Sequence, residues 1–110
     1  MHEHHQVEKL VKDLITATGG RKVKSLCLVM GDLPGFDETS VRLYFENFTE
    51  GTPAEGAELK VRWIRGELRC PACGRNFVKI KSRLDCPTCG RQGTPTAVGR
   101  EFHFDEVVTD

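Results

Sequence analysis

The sequence predicts an α+β fold: two helices with a small three-stranded sheet, plus an inserted module built on four cysteines. Three observations predict it. Residues 3 to 18 carry an apolar stripe at helical spacing. Three other stretches carry strand patterns, at 22–31, 57–65 and 98–107. Between the last two, Cys70-Pro71-Ala72-Cys73 and Cys86-Pro87-Thr88-Cys89 stand twelve residues apart. A chain of 110 residues has room for one small domain carrying a smaller module.

The elements follow in order. Val7, Leu10, Val11, Leu14 and Ile15 repeat at i, i+3, i+4, i+7 and i+8, which is one face of a helix. Gly19-Gly20 ends it with a residue type suited to the left-handed C-terminal position. Leu26-Cys27-Leu28-Val29-Met30 is apolar on both faces, so the 22–31 strand is expected to be central and covered. Cys27 reads as a small buried hydrophobe. Gly31 to Gly35 is a turn. A second helix runs from about 38 to 49, with Asp37 as its N-cap and Phe36 and Val41 placed as a hydrophobic staple. Val41, Tyr44, Phe45 and Phe48 are its expected buried face. Residues 57–65 alternate, with Ala57, Leu59, Val61 and Trp63 inward. Gly93 to Thr96 reads as a linker. In the last strand Phe102, Phe104 and Val107 roughly alternate with Glu101, His103 and Asp105, and His103 reads as an ordinary strand histidine. The expected organisation is a domain of residues 1–65 completed by the returning strand 97–110, with the cysteine module at 66–93.

Net charge is zero, with 16 basic and 16 acidic residues, so bulk charge points to neither nucleic acid nor membrane. The distribution is uneven. Residues 32–58 hold seven acids against Arg42, and 66–93 hold six bases against Glu67 and Asp85. With no signal-peptide pattern and no long apolar run, a cytoplasmic location is expected.

Two CxxC pairs separated by twelve residues form a metal pattern. Cys70, Cys73, Cys86 and Cys89 can give Zn(II) four thiolates in a closed tetrahedron, which makes the ion a structural staple. Gly74 and Gly90 suit the turn of each knuckle. The expected unit is thus a zinc-ribbon-like module, with Phe77, Val78, Ile80 and Leu84 its apolar residues between the pairs.

The first five residues, Met1-His2-Glu3-His4-His5, carry a second metal pattern. A terminal amine, the deprotonated amide of residue 2 and its imidazole bind one ion in fused rings. Three nitrogens in a plane suit Ni(II) or Cu(II). The bulk of His2 disfavours removal of Met1. The fourth ligand is open between the backbone amide or carboxylate of Glu3, a nearby imidazole and water. On the residues alone, the stretch is equally a solvated helix start with Glu3 at the positive end of the dipole. At about 100° per residue, His4 falls beside the apolar stripe and His5 points to solvent.

Taken together, several features resemble the HypA/HybF hydrogenase maturation family: Met1-His2-Glu3 before an amphipathic helix, Gly31-Asp32-Leu33, Gly51-Thr52-Pro53-Ala54-Glu55-Gly56-Ala57 leading into a strand, the two CxxC pairs, and Gly99-Arg100-Glu101-Phe102 opening the last strand. The resemblance spans essentially the whole chain. It implies a nickel metallochaperone, not an enzyme, that helps insert Ni(II) into the [NiFe]-hydrogenase large subunit precursor, with some members also serving urease. It implies a HypB-family GTPase as partner. Nickel ligands carry over to Met1, His2 and Glu3, and structural zinc ligands to the four cysteines. His4 and His5 depart from the family, where an apolar residue is common at position 4, and are additional candidate nickel ligands. The expected state is a monomer or weak homodimer. The alternative is a zinc-ribbon module that binds nucleic acid or protein. The bases around the cysteines favour it, and the acidic 32–58 segment opposes it.

Overall fold

Apolar side chains at helical spacing make the first helix a packing element rather than a solvated rod. In the computed structural model, which describes residues 2–80 and 83–110 and only the backbone of His2, α1 spans His2–Ala17. Val7, Leu10, Val11 and Leu14 are buried. Each such side chain contributes on the order of 1.5–3 kcal/mol by leaving water. α2 spans Glu38–Thr49 and packs against α1.

The strands are β1 (Val23–Gly31), β2 (Glu58–Ile64), β3 (Glu67–Arg69), β4 (Asn76–Val78), β5 (Thr94–Pro95) and β6 (Phe102–Thr109). They form two three-stranded sheets, ordered β2-β1-β6 and β4-β3-β5. The strand β1, apolar without a break from Leu26 to Met30, is central, as that run predicts, with each of those residues buried. The returning last strand closes its free side. Among the described residues no helix is long and apolar enough to cross a membrane.

The chain divides into two units. The first holds the segment ending at Val29, Phe36–Arg62 and Phe102–Asp110; the second holds Met30–Gly35 and Trp63–Glu101. In the first, Val41, Phe45 and Thr49 are the buried residues of α2, while Tyr44 and Phe48 are half-buried. In the second, the end of β1 comes so close to residue 99 that a side chain at Gly31 has no space. A Cβ there would overlap the Gly99 carbonyl.

Four sequence expectations change. Asp37 is the N-cap residue of α2, as expected, with extended backbone, but its side chain makes no capping bond; Oδ2 accepts from the Ser40 hydroxyl instead, at 2.9 Å. Trp63 is exposed rather than inward, because the alternation of β2 slips over Arg62-Trp63. Gly93–Thr96 is not a free linker. Thr94 pairs with Arg69 and Pro95 with Leu68, on the far side of β3 from β4. Pro fits there because β5 is an edge strand and needs no ladder donor at that residue. The last strand begins at Phe102 and holds two successive exposed residues, Asp105 and Glu106. Glu106 has φ 50°, a left-handed residue that restores the inward phase at Val107.

Candidate metal centre

Each cysteine pair is built by the same local hydrogen bonds, which follow from the repeated Cys-Pro-x-Cys-Gly-Arg sequence. In the first knuckle the Gly74 N–H donates to the Cys70 carbonyl at 2.8 Å, and the Cys70 N–H to the Arg75 carbonyl at 2.9 Å. In the second, the Gly90 N–H donates to the Cys86 carbonyl at 2.8 Å, and the Cys86 N–H to the Arg91 carbonyl at 2.7 Å. Gly74 and Gly90 turn the chain at φ 71° and 77°, where a side chain is strained. Each knuckle therefore folds its CxxC into a loop that gathers its sulfurs.

Strand pairing holds the module. Leu68 faces Phe77 and Arg69 faces Asn76 across β3 and β4, so the first knuckle is the tip of a hairpin. Leu68 is fully buried and is the apolar residue on which this small sheet centres. Composition points instead to Phe77, Val78, Ile80 and Leu84. Of these Phe77 and Leu84 are half-buried, while Val78 and Ile80 are exposed. The signal for Leu68 is its place two residues before Cys70, on the strand that carries the first ligand.

Among the described residues, Cys70, Cys73, Cys86 and Cys89 form the cluster of potential ligands, with all four sulfurs within 4.8 Å of one another. Cys70 and Cys86 are buried, and Cys73 and Cys89 are exposed. The Cys70 and Cys89 sulfurs lie 3.4 Å apart. A tetrahedral ion about 2.3 Å from each thiolate spaces them roughly 3.8 Å apart. The donor set thus fits one ion held by four sulfurs with small adjustment.

Electrostatics favour thiolates at the first cysteine of each knuckle. The Cys73 backbone N–H holds the Cys70 thiol down at about 6, aided by bonds from Cys89, Ala72 and Cys86 and opposed by burial. The Cys89 and Thr88 N–H groups likewise lower Cys86. Cys73 goes the other way, pushed up to about 12, chiefly by its bond with the Cys89 sulfur and then by Cys70. Without an ion, the cluster keeps a proton at Cys73 while Cys70 ionises. A bound cation removes that conflict, because it compensates all four negative sulfurs.

The other candidate ligands lie at the start of α1. Met1 and the His2 side chain fall outside the described residues. The Glu3 Oε1 accepts a hydrogen bond from the Asp37 backbone N–H at 2.9 Å. That contact, across 34 residues, joins the first turn of α1 to the start of α2, and sequence reasoning did not locate it. The His4 ring meets Tyr44 at 5.4 Å and Phe48 at 4.9 Å between centroids, both T-shaped, and is half-buried. His5 is exposed and stands edge-on to His4 at 5.5 Å. His103 is exposed on β6. Among the described residues, none of these histidines joins the cysteine cluster.

The chain is similar to known proteins along almost its whole length. The sequence model of the family described as "Hydrogenase/urease nickel incorporation, metallochaperone, hypA" matches residues 1–109. The hydrogenase maturation factor HypA of Caldanaerobacter subterraneus subsp. tengcongensis is 37% identical over 111 residues, covering 97% of each chain. HypA of Dehalococcoides mccartyi strain 195 is 32% identical over 113 residues, covering 100% of this chain and 95% of its own. The solution structure of the Ni metallochaperone HypA from Helicobacter pylori superposes with a TM-score of 0.67 at 19% identity, over 97% of this chain and 96% of that one. That likeness is one of fold. With a family match over residues 1–109 and relatives more than 30% identical along almost the whole chain, the chain belongs to the HypA family of hydrogenase and urease nickel-incorporation metallochaperones.

Proposed function

We propose that this chain carries Ni(II) on Met1, His2 and Glu3 and delivers it to the precursor of a [NiFe]-hydrogenase large subunit. A HypB-family GTPase supplies the nickel, and urease is a second client. The match of the nickel-incorporation family from residue 1 to residue 109 is the observation that supports this most. The chain acts in the cytoplasm as a monomer or weak homodimer, and it is a carrier rather than an enzyme.

The chemistry favours nickel at the first turn. N–H groups in the first turn of a helix have no intrahelical acceptor. The amides of His2 and Glu3 can therefore lose their protons to nickel without breaking a helical hydrogen bond. With the Met1 amine and the His2 imidazole, the His2 amide offers three nitrogen donors in one plane, a field Ni(II) accepts, and the fourth position stays open. One Glu3 carboxylate oxygen is engaged by the Asp37 N–H, so assistance comes from the Glu3 amide nitrogen or its second oxygen. His5, exposed and three residues after His2 in the sequence, captures nickel transiently. Binding requires unprotonated nitrogens, so the ion is held near neutral pH and released by acid or a stronger chelator.

We assign Zn(II) to Cys70, Cys73, Cys86 and Cys89. When bound, it supplies a closed tetrahedral staple with no open position for chemistry. In this reading the nickel-binding domain is residues 1–65 with the returning strand 97–110, and the zinc module is 66–93.

Nickel titration of the protein, of His2→Ala, and of a version with residues added before Met1 tests the assignment. The unmodified protein is expected to bind at least tenfold more tightly than either variant, since each removes a nitrogen ligand. Equal binding by all three rules the N-terminal site out.

A further inference from the structure

We infer that His4 is a positioning residue for the nickel-binding chain end, seated in an aromatic notch on α2, and not a nickel ligand. The inference rests on the nickel reading above and deepens it. Histidine two residues after a candidate chelating histidine suggests a further ligand. The geometry points elsewhere.

Tyr44 and Phe48 stand one helical turn apart on α2, with rings 6.5 Å apart and tilted 35°. Residues at i and i+4 share a helix face. The His4 ring enters this face edge-on to both, at interplanar angles of 87° and 69°. Edge-to-face packing at these separations is the favoured aromatic arrangement. The His5 ring also stands edge-on to it, at 5.5 Å and 88°. The ring is thus committed to packing on its neighbours.

The residue before it is also tied to α2. Glu3 Oε1 accepts from the Asp37 N–H at the start of that helix. Two consecutive side chains of α1, one by hydrogen bond and one by ring packing, therefore moor the same turn to the same helix. Met1 and His2 immediately precede that moored pair in the sequence. A chelate built on a chain end must otherwise lose the freedom of that end when the ion binds. Anchoring the next two residues removes part of that loss in advance. Phenylalanine can fill the notch, but it cannot bind a metal ion, so the two roles of His4 separate cleanly.

The experiment is Ni(II) titration, with the absorption spectrum of the nickel complex recorded, of the full chain and of His4→Phe, His4→Ala, Phe48→Ala and His2→Ala. Far-UV circular dichroism confirms that each remains folded. Positioning predicts that His4→Phe keeps the affinity within about twofold and leaves the nickel spectrum unchanged. His4→Ala and Phe48→Ala are then each weaker by roughly tenfold with the same spectrum. If His4→Phe binds as poorly as His4→Ala, or its spectrum shifts, His4 is a ligand and the inference is overturned. If His4→Ala binds like the unmodified protein while His2→Ala does not, the notch positions nothing and the inference alone fails. If His2→Ala also binds like the unmodified protein, the N-terminal nickel reading fails and takes this one with it. His4→Phe preserves the ring, so the comparison stands even if His4→Ala is unstable.

Discussion

The two units of this protein are held together by different physics. The first buries Val7, Leu10, Val11, Leu14, Val23, Leu26, Leu28, Val29, Val41 and Phe45, drawn from two helices and a central strand. The second buries Met30, Leu68 and the two cysteines Cys70 and Cys86, and leaves Val78, Ile80 and Val98 exposed. A core of that size is far below what usually sustains a domain without a metal or a covalent cross-link. The first unit is therefore stabilised by exclusion of water, and the second by coordination of four sulfurs. They should fail under different challenges.

The largest effect expected is on the second unit. Removing its metal with a chelator, or making Cys70→Ser together with Cys86→Ser, removes on the order of 10 kcal/mol of coupled folding energy. Amide hydrogen exchange should then lose protection at β3, β4 and β5 while α1 and β1 keep theirs. Persistent protection at Leu68 in the metal-free protein would show that the sheet, not the metal, holds this unit.

The converse test addresses the first unit. Leu14 is fully buried, so Leu14→Ala should cost about 2–5 kcal/mol through lost burial and a residual cavity. Urea unfolding followed by helical circular dichroism should register it, while metal content stays at one ion per chain. Loss of metal in step with helix would contradict the separation of the two mechanisms.

The smallest effect concerns acid. Cys70, lowered to about 6, stabilises the metal-free fold fully above its ordinary 9.0, and that contribution is lost as pH falls through about 6. Cys73, raised to about 12, contributes below 9.0 and loses its contribution as pH rises through about 12. Between 6 and 9 the ion must therefore displace the Cys73 proton but not one from Cys70. Below 6 it must displace both. Metal affinity should fall with acidity, and the fall should steepen by about one proton below pH 6. Competition titrations across pH 5 to 8 measure this slope. A constant slope would place the first proton elsewhere.

These differences explain what the sequence made visible. Helix α1, the central strand β1 and the four cysteines are written in strong local patterns: a stripe, a continuous apolar run and a fixed spacing. Each pattern survives whatever the rest of the chain does. What was not legible depends on long-range partners. Thr94-Pro95 has the composition of a linker and becomes a strand only because β3 offers it an edge. Trp63 fits an inward alternation, but β2 slips over Arg62-Trp63 and leaves it exposed. The inward phase of Val107 depends on a left-handed residue at Glu106, which no propensity for glutamate anticipates. At the first turn of α1, the sequence singles out Met1, His2 and Glu3 as the nickel ligands and leaves His4 and His5 as additional candidates, without showing what else those side chains touch. The pairing of Glu3 with the Asp37 N–H and of His4 with Tyr44 and Phe48 needs α2 to be docked. Part of that arrangement was nevertheless foreseeable, since helical phase alone leans His4 toward the apolar stripe and His5 away from it.

The strand order β2-β1-β6 also dictates a timetable for synthesis. When β2 has left the ribosome, β1 is paired on one side only, and the strand that covers the other side is still unmade. The whole cysteine segment must emerge before Phe102 begins, an interval of seconds at roughly 5–20 residues per second. During that interval the most apolar strand of the chain shows an open edge, the kind of surface on which nascent chains associate. A metal ion captured early by the two knuckles would compact the intervening segment and shorten the distance the last strand must search.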